Sequence, residues 1–146
     1  MSGRSRHGGR ALSDVSARAC LTCGTCCFST LEQYVRVTGD DHARLGTRAE
    51  ELTRFVGNRA YMKMTDGHCA ALRIETRAMD ASHASHEGAD ARFVCGVYDE
   101  RPDVCRDLAR GSRECLGEIA TQGARPLVAV AALTALSRRR AVPSAV

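Results

Sequence analysis

The chain has 146 residues, 44% of them hydrophobic, but no Trp, three Phe and three Tyr, so it is long enough for one domain and short of large side chains to fill its core. Its net charge of +4 lies at the ends: residues 1–19 carry Arg4, Arg6, Arg10 and Arg18 against Asp14, residues 122–146 carry Arg125, Arg138, Arg139 and Arg140 with no acid, and the middle is net acidic. A reader of nucleic-acid sequence concentrates basic groups on a folded face beside stacking aromatics, so specific nucleic-acid recognition is excluded, and the ends read as solubilising tails that touch polyanions weakly.

In chain order, residues 1–19 hold no periodic apolar pattern and predict a disordered basic tail. They also lack the apolar stretch of a secretory signal, which predicts a cytoplasmic address where thiols stay reduced. Cys20, Cys23, Cys26 and Cys27 follow within eight positions. "YVRV" (34–37) alternates as a short strand. Residues 38–57 supply an acidic start and then Leu45, Ala49, Leu52, Phe55 and Val56 at helical spacing, predicting a helix that ends near Gly57. "AYMKM" (60–64) reads as a strand, "TDGH" (65–68) as a turn holding Gly67, and "RIE" (73–75) as the return of that hairpin.

Residues 76–91 form a small polar loop. Next come a strand ending at Cys95, a turn, and a helix with Pro102 near its first turn and Cys105 inside it. Gly111 and Ser112 break and recap that helix ahead of Cys115, and Pro126 opens a last one. Its run "LVAVAALTAL" (127–136) has ten residues where a membrane span needs about 20. It is therefore a helix packed on protein or lying on a surface. The organisation expected is a disordered tail (1–19), a cysteine-cluster domain (20–121), and a C-terminal helix with a basic tail (122–146). The fold class is α+β, a small irregular cysteine-rich domain with short strands and two to four helices.

Eight cysteines drawn from every part of such a chain point to a metal staple, because ligands from distant segments close several chain loops at once. Cys20, Cys23 and Cys26 form two successive Cys-x-x-Cys spacings, which let tight turns aim thiolates at one ion. The same run opens the bacterial ferredoxin motif, whereas zinc sites more often pair separate knuckles. Cys27 adjoins Cys26, and adjacent side chains diverge, so it is expected to reach a second centre or the core. Two four-cysteine sites, one cluster with spare thiols, or four disulfides all fit the count. The compartment argument favours metal: Cys20, Cys23, Cys26, Cys27, Cys69, Cys95, Cys105 and Cys115 are the candidate ligands, for zinc, iron or an iron-sulfur cluster.

The blocks Cys20-x-x-Cys23-Gly24-x-Cys26-Cys27, Gly67-x-Cys69-x-x-Leu72 and Cys95-x-x-Tyr98-x-x-Arg101-Pro102-x-x-Cys105-Arg106 resemble the CxxCxxCC, or YkgJ-like, cysteine-cluster family over about residues 20–116. The resemblance implies chelation of zinc or iron and no settled reaction. Cys115 would be the eighth cysteine that members of this family carry. A related motif occurs within flagellin lysine methylases, but this chain has no glycine-rich cofactor loop.

The residues around the cysteines carry readings of their own. Gly24 frees a turn whose amides point at sulfur, or is a plain turn glycine. Arg101 and Arg106 flank Cys105 and either offset thiolate charge or line a helix surface. Cys105, near a helix N-terminus, is expected to deprotonate readily. Tyr98 is expected to pack with its hydroxyl bonded. His68 is a weaker ligand candidate, and His83 and His86 read as solvated.

No Ser-His-Asp set, phosphate-cradling loop or His-Glu-x-x-His helix appears, so catalysis has little support. Two functions remain. One is a metal-binding protein serving redox or metal handling; the other is a zinc-stapled module that binds a partner protein without chemistry at the metal.

Overall fold

The computed structural model describes residues 20–76 and 91–141. The expected tail at 1–19, most of the polar loop with His83 and His86, and the last five residues lie outside them. The fold is α+β. A helical turn at 20–23 and a 3-10 turn at Thr25–Cys27 lead to β1 (Arg36–Val37), α1 (Gly39–Leu45), a second 3-10 turn and α2 (Ala49–Leu52). Then come β2 (Thr53–Val56), β3 (Arg59–Met62), β4 (Met64–Thr65), β5 (His68–Cys69), β6 (Leu72–Thr76) and β7 (Ala91–Cys95). The chain continues through α3 (Asp103–Asp107), α4 (Arg113–Gln122) and α5 (Arg125–Ala141), one helix more than expected. The strands form three small antiparallel sheets, β1-β3-β2, β4-β5 and β6-β7.

The helix expected over 38–57 stops at Leu52, and Thr53–Val56 is strand β2. Thr53, Phe55 and Val56 are β-branched or aromatic and favour a strand, and Gly57, at a positive φ of 62°, lets a two-residue turn fold β2 onto β3 with Val56 opposite Arg59. Leu52, Phe55 and Val56 only mimic a helical stripe: Leu52 is buried at the end of α2, whereas Phe55, in β2, is 65% exposed.

The turn at 65–68 is where the sequence indicates it, with both Asp66 and Gly67 at positive φ. Its return strand is β5, however. The "RIE" segment lies in β6 and pairs with β7, Leu72 opposite Cys95 and Ile74 opposite Phe93. Ser112 caps α4 by accepting the Cys115 amide at 3.1 Å, and Pro126 sits in the first turn of α5.

The core gathers Phe28, Val35, Val37, Leu45, Leu52, Met62, Ala71, Leu72, Phe93 and Val97. From the apolar run 127–136 it takes Val130, while Leu127, Val128 and Leu136 are exposed. The helix thus packs on the protein along one side and lies at its surface along the other.

One buried carboxylate joins two helices. Asp41 has no exposed surface; it accepts the Thr38 amide at 2.8 Å in a capping box that starts α1, and the Asp103 amide at 3.0 Å. That second bond fixes the start of α3, the helix of Cys105. Arg44 pairs with Asp41 and with Asp103, the latter at 2.8 Å. Burial of Asp41 works against its ionised form, but the Thr38 and Asp103 amides, the Thr38 hydroxyl and the Arg44 charge outweigh it and lower its pKa. A carboxyl with a depressed pKa stabilises the fold above its unfolded pKa and loses that contribution as pH falls through the folded one. Asp41→Asn should therefore cost about 2 kcal/mol at neutral pH and cost less on acidification below about pH 4. Urea denaturation of both proteins at neutral and acid pH checks this, and an equal cost at both would contradict it.

Candidate metal centre

Four segments bring cysteines together: the 3-10 turn (Cys26, Cys27), the end of β5 (Cys69), the end of β7 (Cys95) and the middle of α3 (Cys105). Local geometry explains their meeting. Gly24, at φ 62°, lies so close to β7 that a Cβ there would stand 2.4 Å from the Phe93 ring, and any other residue would also be strained in that left-handed conformation. Phe28, 2% exposed, sets its ring edge-on to Phe93 at 6.0 Å and to His68 at 5.5 Å. A bridge between Phe28 and His68 and a bond from the Ser29 amide to the Gly67 carbonyl at 2.9 Å fasten the cysteine loop to the β4-β5 turn. The His68 ring nitrogen Nδ1 lies 3.0 Å from the Cys69 carbonyl, a contact that with Phe28 orients the ring.

The five thiols share one electrostatic environment. Cys26 is held down to about 7, chiefly by a hydrogen bond with Cys27, while partial burial opposes the shift. The same bond, then burial, raises Cys27. Burial first, then the charges of neighbouring thiolates, Cys95 and Cys26 in both cases, raise Cys69 to about 11 and Cys105 to about 12. Cys95 is raised by burial. Cys105 therefore does not ionise readily as a free thiol: burial and its sulfur neighbours prevail over the start of a five-residue helix. Cys27 packs at the edge of the core, as expected, but within the same thiol group as Cys26.

Polar groups aimed at these sulfurs favour their charged forms. The Ala71 and Leu72 amides donate to Cys69, and the Val97 amide donates to Cys95. Arg101 lowers both Cys95 and Cys105, and Arg48 lowers Cys95 while donating to the Gly96 carbonyl at 2.7 Å. Of the two arginines flanking Cys105, Arg101 is the one that faces the thiols. Arg106 instead ties the preceding turn, donating to the carbonyls of Arg101 and Asp99. Tyr98 departs from the packing expected of it: it is 56% exposed, with Arg101 stacked 3.9 Å over its ring. The sulfur-directed amides are those of Ala71, Leu72 and Val97 and, within the turn that Gly24 starts, that of Cys26. The sequence signals them only through the position of each cysteine just before a strand-end turn, and for Arg48 it carries no signal.

The other three cysteines have contacts of their own. Cys20 is exposed and accepts from Arg110 at 3.5 Å, Cys23 is 3.2 Å from the Thr25 hydroxyl, and Cys115 is half-buried in the first turn of α4. None of the eight is in a disulfide. Among the described residues no three His, Cys, Asp or Glu side chains stand in finished metal-ligand geometry, so ligation requires the thiols to draw together. The donor set suits a thiophilic ion: several thiols in one field, with amides and guanidinium groups turned to thiolate charge.

Over residues 19–122 the chain matches a family model described as CxxCxxCC, "Putative zinc- or iron-chelating domain". No curated protein and no solved structure matches it.

Raised thiol pKa values make the metal-free fold sensitive to alkali. Unfolded cysteines ionise around 9.0, whereas folded Cys69 and Cys105 do so only near 11 and 12. Their contribution to stability is therefore complete below pH 9 and declines as pH rises from there toward 12. Denaturation of the reduced, metal-free protein at pH 8 and pH 10 should show lower stability at pH 10, with the loss reduced in Cys105→Ala; a stability indifferent to this change of pH would contradict the burial of these thiols.

Proposed function

The chain belongs to the CxxCxxCC family, and on that premise we propose that it binds zinc or iron, the latter as an ion or an iron-sulfur cluster, through Cys26, Cys69, Cys95 and Cys105. Its role is metal handling or redox. One observation carries the reading: thiols from four segments lie in one another's field with the Ala71, Leu72 and Val97 amides and the Arg48 and Arg101 charges directed at them. When bound, zinc would supply a redox-inert thiolate centre and iron an electron-accepting one.

The residues have distinct tasks. Cys27 donates its thiol hydrogen to Cys26 and favours the Cys26 thiolate, the first sulfur ready to bind at neutral pH. Cys69, Cys95 and Cys105 give up protons as they bind, so affinity rises with pH. Arg48 and Arg101 offset the charge of the assembled thiolates. Cys20, exposed and beside Arg110, would offer incoming metal a thiol at the surface. A second reading, zinc as a pure staple for a protein-binding module, is favoured by the origin of the inner thiols in segments joined by strands of only two to five residues.

Anaerobic purification followed by elemental analysis and an absorption spectrum tests the proposal, since iron-thiolate centres are coloured and zinc is not. Cys69→Ser and Cys105→Ser should each lose most of the metal and several kcal/mol of stability. Cys20→Ser should retain the metal but exchange it more slowly with a chelator. Full metal content in both inner variants would overturn the ligand assignment, and unchanged exchange in Cys20→Ser would favour the staple.

A further inference from the structure

The last helix is apolar on more sides than the protein covers. From Pro126 to Ser137, α5 carries no charged side chain, and a helix of that kind is ordinarily buried all round. Here one side is covered, through Val130 and partly through Ala129. At 100° per residue, Val128, Ala131, Ala132 and Ala135 turn away from Val130, and Leu127, 60° round from Val130, borders them. All five are exposed, Leu127 at 73% and Val128 at 67%. Arg138 and Arg139 close the same side at its C-terminal end, followed by Arg140.

Charge selects what covers this face. After Glu118 the sequence has no acidic residue and four arginines. A second copy of α5 would bring the same basic charge and no acid to neutralise it, so self-pairing is disfavoured. The face also offers no polar group for directional bonds to a protein, only aliphatic surface and cationic ends. An anionic lipid layer meets both halves: acyl chains take the aliphatic strip, and phosphates take the arginines, whose long stems let the charged heads reach the headgroup level.

The helix lies along such a layer and does not cross it. No single helix among the described residues is long and apolar enough to cross, and α4 and α5 reach that length only jointly, across a 46° bend. Crossing would also withdraw α4 from the domain, breaking the bond from the Tyr34 hydroxyl to Glu118. We propose that the outward face of α5 is a peripheral membrane-binding surface that inserts Leu127 and Val128 into an anionic leaflet and seats Arg138, Arg139 and Arg140 on its phosphates.

The absence of Trp from the chain makes a single introduced Trp a clean reporter. In the full-length, metal-loaded protein, Leu127→Trp should shift its emission to shorter wavelength on addition of vesicles of phosphatidylcholine mixed with phosphatidylserine. Vesicles of phosphatidylcholine alone should have little effect, and high salt should reverse the shift. Co-sedimentation of the otherwise unaltered chain should fall about a hundredfold when Arg138, Arg139 and Arg140 are all replaced by Gln, and about tenfold or more in Leu127→Ser. Circular dichroism and metal content, unchanged in each variant, show that the domain is intact. Failure of the intact protein to bind either vesicle overturns the proposal and leaves an acidic protein as the occupant. Equal binding to neutral vesicles removes the role of the arginines, and salt-resistant binding released only by detergent shows insertion across the bilayer; either result also overturns it.

Discussion

The close approach of Gly24 to Phe93 is the constraint on which the rest of the centre depends. A cysteine loop of two short turns has little apolar surface of its own, and two-residue strands such as β4 and β5 are not independently stable. What fixes them is a shared contact: the loop backbone rests on the Phe93 ring, and Phe28 reaches back to both Phe93 and His68. Cys26 and Cys27 lie just before Phe28, Cys69 just after His68, and Cys95 two residues after Phe93. A protein with only three Phe thus spends two of them in aligning three of its four inner cysteine segments, and Asp41 aligns the fourth by holding the start of α3.

Gathering thiols this way opposes their ionisation. Burial and mutual repulsion hold Cys69, Cys95 and Cys105 protonated, while nearby amides and arginines favour the charged state. These opposed influences suit a site whose charge arrives with a cation: the thiols are neutral without it, and the groups that stabilise thiolates are already in position. The same balance explains why Arg101 stacks on exposed Tyr98. The ring holds the guanidinium beside the sulfurs, and among the described residues no carboxylate pairs with it to cancel its charge.

Much of this was legible in the sequence, where the information is local. Glycine and aspartate at 66–67, Ser112 and Pro126 mark turns and helix starts through backbone preferences that tertiary contacts leave intact. The stretch 53–56 was misread because a three-four spacing of apolar residues satisfies a helix and a strand alike until the partner, β3, is known. The pairing of β6 with β7 is non-local, with fourteen residues between the two strands, so no short turn signal identifies it. The cysteines declare themselves by spacing, yet spacing groups Cys20 and Cys23 with Cys26, whereas hydrogen bonding and charge link exposed Cys26 to Cys27 and the distant thiols. Arg48 contributes from a 3-10 turn far along the chain, where no motif indicates it.

If inner thiols from distant segments are the ligands, the bound metal must see sulfur and nothing lighter. X-ray absorption at the metal edge of protein purified without oxygen measures this most directly. The account predicts a first shell of about four sulfurs, at about 2.3 Å if the metal is zinc, which collapses in Cys69→Ser and in Cys105→Ser. A shell with nitrogen or oxygen at about 2.0 Å, or an unchanged four-sulfur shell in those variants, would contradict it.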